Sequence, residues 1–269
     1  MFYIKNMVLN IPFEEFFEPY LYPACKLGHV EVVRALLSTG ARADQQDEDG
    51  VSPLFAACVP GHVEVVRALL SVGARAGLQS RAGSTPLHAA CLYGHVEIAH
   101  ALLTAGAQCD LQDKEGSSPL HIASAKGHVE VVRALLTAGA QVDSVRTDTD
   151  TSPLWMATQH GHVKVVRTLL AAGAAVNLVG SFERTSPLWM ASQNGHMEVL
   201  RALLSNGVQV DFLAPLQAAS RSGHVEVVRA LLLAGAQVDY LAKTDGHTSP
   251  RMIAGAAALG EAGRAGAEA

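Results

Sequence analysis

The 269-residue sequence is poor in aromatics (5%), has no close pair among its four cysteines and shows no excess of cations, with 20 Lys and Arg against 25 Asp and Glu. Each shortage excludes something. So few large rings argue against a typical enzyme interior. A net charge of −5 leaves nothing to neutralise a phosphate backbone or an anionic bilayer, which disfavours nucleic acid and membrane insertion. No stretch reaches the roughly 18 continuous apolar residues of a membrane span. The start, MFYIKNMVLNIPFEE, lacks a charged leader and a small-residue cleavage site, so no secretion signal is read. Scattered cysteines suit neither a disulfide framework nor a zinc site, and a reducing intracellular compartment fits, cytoplasmic with the nucleus open. What is present is 49% hydrophobic residues, enough for a substantial core.

The dominant feature is a repeat. Gly-His pairs begin at Gly28, Gly61, Gly94, Gly127, Gly161, Gly195 and Gly223, at intervals of 33, 33, 33, 34, 34 and 28 residues. Pro53, Pro86, Pro119, Pro153, Pro187 and Pro215 each precede such a pair by eight residues. A fixed period of this length marks stacked units that cannot bury their apolar faces alone. Within STPLHAACLYGHVEIAHALLTAGA, Thr85 is an N-cap and Pro86 suits the first helical position. Gly94 ends that helix with a positive φ, and a second helix follows with Val96, Ile98, Ala99, Leu102 and Leu103 on its apolar face. A polar segment ending at Gly116 then suits a hairpin-like finger.

The string TPLHAACLYGHVEIAHALLTAGA resembles the ankyrin repeat, and similar strings cover residues 20 to 253. The resemblance implies an all-α fold, a curved α-solenoid of about seven helix-turn-helix repeats plus an incomplete eighth, with short β-hairpin fingers. It also implies non-catalytic protein binding, and histidines whose hydrogen bonds to backbone tie neighbouring loops. Three segments are expected: 1–19 as an N-terminal capping segment, 20–253 as the repeat domain, and 254–269 as an Ala/Gly-rich disordered tail. Phe13, Phe16 and Phe17 suit a cap over the first repeat or, alternatively, a docking motif. Near 211–215 a finger is missing, and Ala214 stands where other units carry the capping Ser or Thr. Asp150 and Arg184 replace finger glycines, so a different turn is expected there.

Twelve histidines invite a metal site, but nine follow the repeat, and repeat-related positions lie about 10 Å apart, too far for shared zinc ligation. Neither a metal nor a cofactor is expected. Cys25, Cys58 and Cys91 occupy one register position and read as small buried groups, leaving Cys109 as the more reactive thiol. Glu64 and Glu130 suit pairing with Arg67 and Arg133. Asn177 matches the position at which some ankyrin-repeat proteins are hydroxylated, although Asp44, Asp110, Asp143, Asp211 and Asp239 elsewhere point to a turn-former.

By the same resemblance, partner specificity sits at the ends of the first helices, facing the concave groove, and at the finger tips. The candidate contacts are Val59, Pro60, Leu92, Tyr93, Lys126, Gln159, His160, Gln193, Asn194 and Arg221 in the groove, with Glu48, Asp49, Arg81 and Lys114 on fingers. Trp155 and Trp189 replace the Pro-Leu-His histidine and serve either inter-repeat packing or a binding hot spot. The expected function is a scaffold or adaptor for a protein partner, monomeric when alone. The alternative is a self-associating solenoid or a fragment of a longer repeat chain.

Overall fold

Ser52, Thr85, Ser118, Ser152 and Ser186 stand immediately before prolines, and each caps a helix. Their backbone is extended, the following proline takes the first helical position, and at Ser52, Ser152 and Ser186 the hydroxyl accepts the N–H three residues on. At Thr85 the cap is reciprocal: the hydroxyl accepts from the His88 N–H, and His88 Nδ1 accepts the Thr85 N–H at 3.1 Å. The computed structural model describes residues 18–179, 185–208 and 213–235. Fourteen helices are present among these residues, in pairs. They are α1 (Glu18–Leu27) and α2 (Val30–Ser38), α3 (Pro53–Cys58) and α4 (Val63–Ser71), α5 (Pro86–Tyr93) and α6 (Val96–Thr104), α7 (Pro119–Lys126) and α8 (Val129–Thr137), α9 (Pro153–Gln159) and α10 (Val163–Ala171), α11 (Pro187–Gln193) and α12 (Met197–Ser205), and α13 (Leu213–Arg221) and α14 (Val225–Leu233).

None of these helices exceeds ten residues, too short to persist in water alone, so stacking supplies the stability. Two units are distinguished, residues 1–148 and 149–269. In the first, α1, α3, α5 and α7 pack in succession, as do α2, α4, α6 and α8. In the second, α9, α11 and α13 form one row and α10, α12 and α14 the other. Leu54, Leu69, Leu87, Ile98, Leu102, Leu120 and Leu135 fill the first core, and Leu154, Leu169, Leu188 and Leu200 the second. Each such side chain contributes about 1.5–3 kcal/mol by leaving water. Cys25, Cys58 and Cys91 are buried free thiols; burial pushes Cys25 up to about 12 and raises the other two as well.

Three expectations need correcting. The fingers are turns rather than β-hairpins, and no strand occurs among the described residues. Their mouths close through Asp47 N–H to Val51 O, Ser80 N–H to Ser84 O and Asp113 N–H to Ser117 O, while single bonds join tip to tip, from Arg81 N–H to Asp49 O and from Lys114 N–H to Ala82 O. Such isolated bonds build no ladder. At Asp150 the left-handed conformation of the glycine fingers is kept, with φ 51, because a short polar side chain tolerates it. The last first-row helix starts at Leu213, ahead of Pro215, so Ala214 lies inside α13 and is no failed cap. Proline is accommodated there because a helix's first turn leaves its N–H groups unpaired. Phe13, Phe16, Phe17, Arg184, Asp211, Asp239, the unfinished unit at Pro250 and the tail all lie outside the described residues.

Candidate functional site

The Gly-His pair is a two-part joint. Gly28, Gly61, Gly94, Gly161 and Gly195 all have positive φ, and against each lies the imidazole of the next repeat. A Cβ built on Gly94 would meet the His128 ring at 2.6 Å, and one on Gly61 the His95 ring at the same distance. From that seat each ring donates Nε2–H to a carbonyl of the preceding repeat. His62 reaches Lys26 O (3.2 Å), His95 reaches Val59 O (3.2 Å), His128 reaches Leu92 O (3.3 Å), His196 reaches Gln159 O (3.1 Å) and His224 reaches Gln193 O (3.0 Å). The acceptors are residues two positions before each Gly-His, and Val59, Leu92, Gln159 and Gln193 are candidate contacts. The backbone that presents them is therefore held by the neighbouring unit.

In the first unit these residues border a groove of about 220 Å³ lined by Phe55, Val59, Leu92, Tyr93, Ile122 and Asp113, with Ser84, His88 and Ala89. Leu92 is 37% and Tyr93 50% exposed, and Tyr93 stacks on His95 at 6.1 Å. Val59 is half-buried, while Pro60 and Lys126 are exposed beyond the groove lining. His88 ties the groove wall to the next repeat: Nδ1 accepts from Thr85, which leaves the proton on Nε2 to donate to Ser117 O at 3.1 Å. Burial lowers its pKa, so it is neutral and already fully bonded. Glu48, Asp49, Arg81 and Lys114 are all exposed on finger tips.

The second unit places its candidates differently. Gln193, Asn194, His160 and Arg221 are exposed and Gln159 is half-buried. Asn194 donates its amide to Gln159 O at 3.1 Å, sharing that carbonyl with His196. Trp155 is only 7% exposed, and its indole N–H donates to Thr185 Oγ1 at 3.2 Å, so it performs the inter-repeat bond that His88 makes elsewhere and offers little to a partner. Trp189 is half-buried and Asn177 exposed.

Several roles escaped the sequence reading. Phe55 stands in the Pro-Leu-His slot and lines the groove, as do Ile122 and Asp113. The turn aspartates also clip successive repeats: Asp44 accepts the Arg75 N–H (2.8 Å) and its Nε–H (2.9 Å), and Asp110 accepts the Gln141 N–H (2.9 Å). Gly77 occupies that register position without a carboxylate. Cys109 is half-buried, and burial together with adjacent Asp110 raises its pKa, which makes it a poorer nucleophile than its place near a finger base suggested. The expected Glu64–Arg67 and Glu130–Arg133 pairs form at 2.9 and 3.2 Å, exposed to solvent. No group of three or more His, Cys, Asp or Glu able to hold a metal ion occurs among the described residues. Nor is any described helix long and apolar enough to cross a membrane.

A comparison with curated proteins returned no match. Among solved structures, the crystal structure of the human ASB11 ankyrin repeat domain is similar, with a TM-score of 0.70 and 29% identity, covering 81% of this chain and 98% of that one. The family model described as ankyrin repeats (3 copies) matches residues 21–113, 102–180 and 176–242. Those matches span the capped first helices, the Gly-His joints and the turn fingers described above, and the chain belongs to the ankyrin repeat family.

Proposed function

We propose that this chain is a non-catalytic scaffold or adaptor of seven repeats and an incomplete eighth, which holds a protein partner along its first helices and finger tips. One observation carries the reading: Leu92 and Tyr93 are exposed beside an apolar groove although the rest of α5 is buried. Large apolar side chains left at a rigid surface are where binding energy concentrates. The pinned backbone strengthens the case, since a contact surface already ordered in the free protein loses less entropy on binding. The histidines that would otherwise suggest acid-base chemistry are engaged as donors to carbonyls, which supports a structural rather than catalytic use. Four free cysteines fit a reducing compartment.

A pull-down from lysate with wild type beside the Leu92→Ala/Tyr93→Ala double variant tests this. The partner is retained by wild type, and its affinity falls by at least about 2 kcal/mol in the variant with unchanged circular dichroism. A partner held equally by both would refute the groove assignment.

A further inference from the structure

We infer that the groove takes an arginine side chain from an extended segment of the partner, with the guanidinium on Asp113 and the aliphatic stem on the apolar floor. This rests on the protein-binding reading above and adds the chemistry of the occupant.

The lining is lopsided in a way that selects one kind of side chain. Its floor and walls are Phe55, Val59, Ala89, Leu92, Tyr93 and Ile122, and its polar members are Ser84, His88 and Asp113. His88 is spoken for at both ring nitrogens and neutral. Asp113 is thus the one formal charge in the lining. Its Oδ1 accepts two N–H bonds, from Glu115 (3.0 Å) and Ser117 (2.9 Å), which fixes the carboxylate at the finger base. Its Oδ2 accepts none among the described residues. Arg146 on the following finger is hydrogen-bonded to Asp148 (2.7 Å) and the Glu115 carbonyl (2.9 Å); it also feels the Asp113 charge but makes no hydrogen bond to that carboxylate. Arg81 and Lys114 are exposed at the tips, outside the lining.

A carboxylate beside an apolar, ring-bearing trough complements a long side chain with an apolar stem and a cationic head. Arginine fits better than lysine, because its planar, weakly hydrated guanidinium stacks on rings such as Phe55 and Tyr93 while bonding a carboxylate. A volume of about 220 Å³ holds one such side chain, and the occupant inferred is an extended segment that carries it.

The test uses the full chain and a phage-displayed library of random 12-residue peptides. Enriched peptides are synthesised and titrated against wild type, Asp113→Asn and Leu92→Ala/Tyr93→Ala. Asparagine keeps the Oδ1 acceptor of the turn and removes only the charge. Enriched sequences are expected to carry arginine, with affinity roughly ten- to a hundredfold weaker for Asp113→Asn, as loss of a charged hydrogen-bond partner gives. Salt should weaken binding to wild type more than to that variant. Replacing the peptide's arginine by citrulline, uncharged but of the same shape, should cause a similar loss and requires no protein variant to fold. Peptides that need Leu92 and Tyr93 yet lack arginine, or bind equally well with citrulline, overturn the inference and leave the groove reading intact. Peptides indifferent to Leu92 and Tyr93 overturn both. No enrichment over blank resin also overturns the inference, with the groove reading then decided by the pull-down.

Discussion

A single repeat position can carry two constraints that act separately. Gly94 and Gly106 both have positive φ, but only Gly94 has a neighbour where its Cβ would be; nothing lies within 4 Å of that point at Gly106. Gly106→Ala should cost the left-handed backbone penalty alone, about 1–2 kcal/mol. Gly94→Ala should cost a further 1–3 kcal/mol, roughly, because the His128 ring must give way. Urea denaturation of the two variants compares them, and equal midpoints would mean that the ring yields freely. His88 sets a pH dependence. Burial holds its folded pKa below that of the unfolded side chain, near 6.5, so the unfolded chain takes up the proton first. The stability tied to neutral His88 is complete above that value and is lost as pH falls through it. The urea midpoint should drop between pH 7.5 and 5.5, and drop less in His88→Gln, which is weaker at pH 7.5. Parallel declines in the two proteins would place the sensitivity in other histidines.

At the scale of the element, second helices were the most legible. The near-invariant VEVVRALLS pattern predicts an amphipathic helix, and α2, α4, α6, α8, α10, α12 and α14 all form with nine residues. The Ser-Pro and Thr-Pro starts were equally plain because capping is local chemistry. Where α13 begins was not: Leu213 and Ala214 carry no cap signal, and the start follows from packing on α11. The groove was half legible. Val59, Leu92 and Tyr93 stood out by their register, whereas Phe55, Ile122 and Asp113 come from three different repeats and meet only when those repeats stack. The joint after α12 can be probed directly. There α13 packs closely along α11 and the His224 bond to Gln193 O is intact, while α14 touches α12 only sparingly. Hydrogen exchange should therefore leave α13 as protected as α11 and expose α14 faster than α12. Uniform protection of α12 and α14 would show that the sparse contact between them loosens nothing.

At the scale of the molecule, the helix pairs of each compact unit pack on the pairs next to them, so stability is close to a sum of repeat and nearest-neighbour terms. Leu102, fully buried in α6 between α4 and α8, should cost about 2–5 kcal/mol as alanine. Leu36, 9% exposed in the first described pair, has a described helix pair on one side only. Leu36→Ala should fray α1 and α2 and leave the main urea midpoint nearly in place, shown by early exchange confined to residues 18–38. A full shift of the midpoint would mean that the first pair is cooperative with the rest.

The glycine and histidine that meet across each joint have a consequence for how such a chain can change length. The dipeptides at Gly61, Gly94 and Gly195 are each a socket for the unit that follows and a plug for the unit that precedes. A duplication or deletion of one whole period therefore brings its own matching halves, wherever in the period the cut falls. Substituting either residue alone spoils one joint only, on opposite sides for the two. Head-to-tail joints of this kind set no stopping point, and the number of units is free to vary while the chemistry of each seam stays the same.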